Sequence, residues 1–148
     1  MYGKMIRSFK PHESGLEKVL GKLEANVMEI VWASGEVTVR DVFEKLHKER
    51  NIAYTTVMTT MKNLAKKGIL EVERTGNAYR YRSVLSRQEF MQRVAGEVIS
   101  GLLDDFAQPM FHHLLDLGKT KANKEVINLL EELVSEAERK QKKGPGER

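Results

Sequence analysis

At Gly68 the spacing of apolar residues changes period, and that change restricts the folds open to the chain. Before the glycine, three stretches carry helical spacing. Val27, Met28, Ile30, Val31 and Trp32 fill a stretch from Leu23 to Ala33, and Val39, Val42, Phe43 and Leu46 line one side of a second, running to about Glu49. The third runs from about Tyr54 to Lys67, with Val57, Met61 and Leu64 at i, i+4 and i+7 and Ala65 beside them. After Gly68 the period is two. Leu70 and Val72 alternate with Glu71 and Glu73, and Tyr79 and Tyr81 alternate with Arg80 and Arg82 across a turn at Gly76-Asn77. Three short helices followed directly by a hairpin predict a winged helix-turn-helix, a mainly α fold with a small β-wing.

Local signals agree with these limits. Ser34-Gly35 stops the first helix, and Gly68 the third. Thr38 stands where an N-cap belongs, with Asp41 three residues on in place of a capping-box Glu. Residues 1–20, with Pro11 and Gly15, read as an irregular lead-in with room for one turn of helix. The expected organisation is therefore lead-in 1–20, winged helix 21–85, helical dimerisation domain 86–140 and flexible tail 141–148.

The third helix raises a question of composition. Thr is a poor helix former because its branched side chain is stiff, yet Thr55, Thr56, Thr59 and Thr60 occur together. At 100° per residue, Thr55, Thr59, Lys62, Asn63 and Lys66 lie opposite the apolar side, with Thr56 on its flank. A Thr hydroxyl can donate or accept, and its methyl can touch the methyl of thymine. Asn63 can bond both positions of an adenine edge. Lys62 and Lys66 add phosphate neutralisation. This face suits a major groove of double-stranded DNA better than water. Thr60 lies nearer the buried side and is expected to be structural.

In the wing, Arg74 and Asn77 lie near the tip, where phosphate or a minor groove would be met, and Arg80 faces away from Tyr79 and Tyr81. Tyr81 is expected to cover the three-helix core. For Asn77, DNA contact and simple turn solvation are equally open. Arg40, in the first turn of the second helix, is placed for a backbone contact. Charge follows the same division: residues 38–82 hold ten Lys/Arg against five Asp/Glu, and residues 86–138 hold five against ten. An anionic partner fits only the first block.

From Arg87 the chain is helical again. Phe90, Met91, Val94, Val98, Ile99, Leu102 and Leu103 form a stripe too apolar for an isolated surface helix. Pro109 is expected to separate it from a short piece, Met110 to Leu117. A last helix, Asn123 to about Glu138, carries Val126, Leu130, Leu133 and Ala137 on one face. A second copy would cover Phe90, Val94, Val98, Leu102, Leu130 and Leu133, giving a homodimer suited to a palindromic operator. Packing of the stripe against the wing within one chain is the competing reading.

The remaining chemistry is sparse. There are no cysteines, which removes disulfides, thiolate nucleophiles and Cys-based metal sites. His112 and Asp116 are spaced one helical turn apart, but two ligands do not make a site, so neither metal nor cofactor is predicted. No glycine-rich phosphate loop, nucleophile elbow or metalloprotease pattern occurs, and the chain is not read as an enzyme. The stretch "MYGKMIRSFKPHESG" lacks an apolar segment, and no apolar run approaches membrane-spanning length. A cytoplasmic protein with no membrane association is expected.

The segments "LEANVMEIVW", "VTVRDVFEKL", "AYTTVMTTMKNLAKKGIL" and "AYRYRSVLSRQEF" resemble the penicillinase repressor family, the BlaI/MecI type with copper-responsive relatives. The resemblance implies a dimeric winged-helix transcriptional repressor on palindromic promoter sites, with Thr55, Thr56, Thr59 and Asn63 on the base-reading helix. It also implies relief of repression by a regulatory protease cutting the first dimerisation helix. The family's Asn-Phe pair lines up with Asp105-Phe106, where Asp is a departure. The copper branch's cysteine pairs have no counterpart. A winged helix serving as a protein-interaction module, and a repressor that senses a small ligand directly, are the alternatives.

Overall fold

The three helical patterns fold as expected, and their caps show why they end where they do. In the computed structural model, which describes residues 5–117, 119 and 124–143, α1 spans Lys22–Ser34, α2 Val39–His47 and α3 Tyr54–Lys66. Gly35 terminates α1 at φ +82°, its N–H bonded to the Val31 carbonyl at 2.8 Å; a side chain there would be strained. The capping box of α2 is complete. Thr38 Oγ1 accepts from the Asp41 N–H at 3.1 Å, and Asp41 Oδ2 accepts from the Thr38 N–H at 2.8 Å. Helix α2 stops at His47, short of the expected Glu49.

The hairpin pairs β1, Leu70–Thr75, with β2, Ala78–Ser83, in antiparallel register from Leu70↔Ser83 to Thr75↔Ala78. Gly76 is at φ +64° and Asn77 is not at positive φ, the pattern of a type II′ turn, with glycine at its first central position. The link between α1 and α2 adds to this sheet: Val37 bridges Tyr81 through two backbone bonds of 2.7 and 2.9 Å. Tyr81 is buried, although Val72, opposite it in the register, is 46% exposed.

One core joins these elements. Val27, Met28 and Val31 from α1, Val42 and Leu46 from α2, and Val57, Met61 and Leu64 from α3 are buried with Ile69 and Leu70. Two expectations need correction here. The segment before Gly21 is not a mere lead-in: Met5, Leu16, Val19 and Leu20 belong to this core, while its one expected turn of helix is the 3-10 turn Gly15–Lys18. Phe90, expected at a subunit seam, is also inside it, at 1% exposure, with its ring centroid 5.5 Å from that of Trp32. Val94 is half-buried against the same core. For these two residues packing within one chain holds, though the ring contact of Phe90 is with Trp32 of α1 and not with the wing. The Trp32 indole N–H donates to Ser83 Oγ at 2.9 Å and to the Leu85 carbonyl at 3.0 Å, fixing that ring.

Helix α4, Arg87–Leu117, starts at a second capping box. The Ser86 N–H bonds Glu89 at 2.8 Å, and the Glu89 N–H bonds Ser86 Oγ at 3.1 Å. The described residues divide into two compact units at Ser100–Gly101, so the first turns of α4 belong to the winged-helix unit, past the expected boundary at residue 85. In the second unit the expected break at Pro109 is displaced. The helix continues to Leu117, and the non-helical residue is Phe106, at φ −122° and ψ 23°. Pro109 cannot donate to the Asp105 carbonyl four residues back, and its ring crowds that carbonyl, so the distortion falls ahead of the proline. Helix α5, Lys124–Lys142, runs past the expected Glu138 and into the tail; Asn123 and residues 144–148 lie outside the described residues. No helix among the described residues is long and apolar enough to cross a membrane.

Candidate nucleic-acid interface

Helix α3 turns Val57, Met61 and Leu64 into the core, and this fixes what it shows on the other side. Thr55, Thr56, Thr59, Lys62, Asn63 and Lys66 are all exposed on it. No acidic residue occurs anywhere in Tyr54–Lys66. Neither Lys62 nor Lys66 pairs with a carboxylate among the described residues. Two unneutralised cations and a row of short polar groups therefore share one convex face. Thr60 is half-buried, and its hydroxyl donates back to the Thr56 carbonyl at 2.8 Å, the local bond a helical Thr makes when it has no outside partner.

Lys67, the neighbouring cation, has a different use. Its Nζ lies 2.8 Å from both Glu24 oxygens, with both side chains under a fifth exposed, so it ties α3 to α1. At the other end of α3, Tyr54 is 44% exposed and meets the Phe43 ring edge-on at 5.5 Å, while His47 stacks on Phe43 at 5.0 Å. This aromatic cluster sets the start of α3 against the end of α2. From sequence, Tyr54 carried no role beyond the start of the third helix; its signal was an aromatic residue standing just ahead of the Thr run.

Helix α2 supports α3 more than it reaches outward. Its Asp41 carboxyl is held below the usual range, first by the Thr38 backbone N–H and then by the Thr38 side chain. Arg40 is exposed but spans one turn to Glu44, 3.2 Å away. Such an exposed pair is weak and yields readily to a phosphate.

The wing separates its cations by face. Arg74, directly opposite Tyr79, lies with its guanidinium 5.8 Å from that ring, and its Nε donates to the Gly76 carbonyl at 3.2 Å. Arg74 and exposed Asn77 thus form a preset tip. Arg80 stands on the other face. Its cross-strand partner is Glu73, and Glu36 lies 3.7 Å away. Arg82 is bonded to Glu71 on that face, where the carboxylates offset both arginines.

The expected dimerisation residues do not stay together. Phe90 and Val94 are internal, as described, and Val98 is half-buried. In the second unit Leu102, Phe106 and Leu133 are exposed and Leu130 is half-buried. Phe111, Leu115, Leu129 and Val134 are exposed as well. His112, His113 and Asp116 are exposed, and no cluster of metal-ligating residues occurs among the described residues.

The penicillinase repressor family model matches residues 20–136. The chain is 44% identical over 84 residues to the transcriptional regulator BlaI of Mycobacterium tuberculosis, an alignment covering 56% of this chain and 59% of that protein. It is 30% identical over 96 residues to an uncharacterised 16.5 kDa protein of Latilactobacillus sakei, covering 65% of this chain and 58% of the other. The chain thus spans less than two thirds of the length of these curated relatives. Among solved structures, the DNA-binding domain of the repressor BlaI aligns with 47% of this chain and 85% of its own, at 23% identity and a TM-score of 0.44.

Proposed function

The chain belongs to the penicillinase repressor family, and from that premise we propose that it is a DNA-binding transcriptional repressor acting as a homodimer on a palindromic operator. The observation that carries this reading is the acid-free outer face of α3, with its exposed Thr, Asn and Lys side chains. Thr55, Thr56, Thr59 and Asn63 read base edges in the major groove. Lys62 and Lys66 supply salt-dependent affinity, and Arg40 adds a backbone contact by exchanging Glu44 for a phosphate. At the wing tip Arg74 and Asn77 meet the flanking backbone. Arg80, beside Glu36 and opposite Glu73, contributes least.

Two copies place two α3 helices in successive major grooves, with half-site centres about one helical turn or a multiple apart. The exposed apolar residues of the second unit, Leu102 and Leu133 among them, support this pairing. Relief by proteolysis at Asp105-Phe106 is supported by the non-helical Phe106, whose side chain is 56% exposed. Proteases bind extended backbone, and a helix already opened at one residue yields there first. Limited proteolysis with a first cut elsewhere would remove this part of the reading.

The test of the whole is fluorescence anisotropy with duplexes tiled across the promoter of the protein's own gene, at two salt concentrations and against shuffled controls. Tight, saturable binding to one tile over its shuffle is expected. Binding that ignores sequence would refute the repressor reading and favour a protein-interaction module.

A further inference from the structure

The family match begins at residue 20, yet the chain ahead of it is built into the winged-helix unit. Met5, Leu16 and Val19 are buried in the core. The segment is fastened by its own hydrogen bonds. The Lys10 N–H donates to the Lys18 carbonyl at 2.7 Å, and Lys10 Nζ donates to the Leu20 carbonyl at 3.1 Å. Lys18 Nζ donates to the Pro11 carbonyl at 2.7 Å. At its start, the backbone N–H groups of Met5 and Ile6 converge on the Glu97 carboxylate at 3.4 and 3.3 Å.

Glu97 occupies a telling place on α4. Phe90 and Val94 begin the stripe by which α4 packs on the core, and position 97 continues it one turn on. A carboxylate there would be out of place on an apolar seam. It is retained with two backbone donors and with Arg93, 3.4 Å away on the same helix. Charge-assisted bonds to backbone N–H groups hold better than neutral ones.

We propose that residues 5–20 form a clasp that locks the first section of α4, Arg87 to Ser100, onto the winged helix through Glu97. This rests on the dimeric-operator reading above for its consequence, since that section leads into the C-terminal helices. When two linked reading heads share one operator, the second binding event is intramolecular, and its effective concentration falls as the linkage loosens. None of the hydrogen bonds that fasten the clasp involves an exposed side chain of α3 or of the wing tip. Its release therefore weakens binding to a full palindrome and spares binding to a single half-site.

The experiment uses the full chain with Glu97→Ala, and Met5→Ala as a second variant that loosens the clasp from its other side. Hydrogen exchange is read first. Amides at 91–100 are expected to exchange about tenfold faster in both variants while those of α3 stay unchanged, as for local opening of one segment. Unchanged exchange in both variants would overturn the clasp. Operator binding is read second: the palindrome is expected to lose about tenfold in affinity and an isolated half-site less than about twofold. Equal losses on the two duplexes would overturn the link to operator binding. Should the wild type bind no duplex by sequence, the repressor reading fails, and the exchange result still decides the clasp.

Discussion

Phe90→Ala separates the two uses to which the apolar stripe of α4 could be put. The ring is 1% exposed and lies 5.5 Å from that of Trp32 at a 50° tilt. Truncating a buried Phe leaves a cavity its neighbours only partly fill, at a cost of roughly 3–5 kcal/mol. The lost contact with Trp32, worth about 0.5–1.5 kcal/mol on its own, places the value toward the upper end. For a unit of this size each kcal/mol lowers the melting midpoint by about 4 °C or more, so a drop of at least about 12 °C is expected. The assay is urea and thermal unfolding of wild type and variant at two widely separated protein concentrations. A residue internal to one chain gives a difference between variant and wild type that does not depend on concentration. A seam residue gives one that shrinks on dilution, by mass action, because both proteins lose the stabilising partner. Leu102→Ala, at an exposed position, should show the second behaviour and a stability loss of less than about 1 kcal/mol within the single chain. A Phe90→Ala loss below about 1 kcal/mol, or one that shrinks on dilution, would refute the internal assignment.

Thr56→Ala and Asn63→Ala are each expected to weaken operator binding by about 1–3 kcal/mol and to leave random duplex almost unaffected; equal losses in an anisotropy titration would remove them from base reading. Lys66→Ala should weaken both duplexes and reduce the salt slope by about one. Lys67→Ala should leave that slope alone and cost about 1–3 kcal/mol of stability by stranding Glu24, so a lowered slope for this variant would contradict the ion pair as its role. Asp41 gives a pH test. Its carboxyl is held below the usual range by Thr38, so folding favours the carboxylate. Its stabilisation is whole above the unfolded value of about 3.9 and is lost as pH falls through the lower folded value. The stability gap between wild type and Asp41→Asn should therefore hold steady from about pH 7 to 5 and close toward about pH 3. A gap that widened on acidification would mean the capping carboxylate is not the group at work.

The winged helix was legible because each of its signals has a short-range cause. Gly35 and Gly68 end helices because each stands at positive φ, and Thr38 with Asp41 starts α2 through bonds spanning three residues. The faces of α3 follow from the period of a helix, so its outward Thr, Asn and Lys were assigned without knowing its neighbours. The wing was less complete. Alternation put Arg80 and Arg82 opposite the tyrosines, but register alone brings Glu71 and Glu73 across from them. Only folding of the α1–α2 link brings Glu36 to Arg80. Arg80 therefore reads as a free cation in sequence and as a paired one in the fold.

What sequence could not assign depends on long-range partners. The stripe from Phe90 to Leu103 has one uniform pattern and two fates. Phe90 packs on Trp32, which is more than fifty positions earlier in the chain, and Val94 lies half-buried against the same core, while Leu102 and Leu103 stay exposed. No helical period encodes where a neighbouring core ends. The segment before Gly21 failed for the opposite reason. Leu16, Val19 and Leu20 have helical spacing for one turn only, Met5 stands eleven residues earlier, and the rest of the segment is held by backbone and Lys bonds outside any regular ladder. Four scattered apolar side chains in an irregular run look like a solvated leader until a groove exists to receive them. What receives them is the core that α1, α3 and Phe90 of α4 also enter. Its occupancy is thus a property of the assembled unit, and composition could at most have noted that a solvated leader has little use for Leu16, Val19 and Leu20 in so short a space.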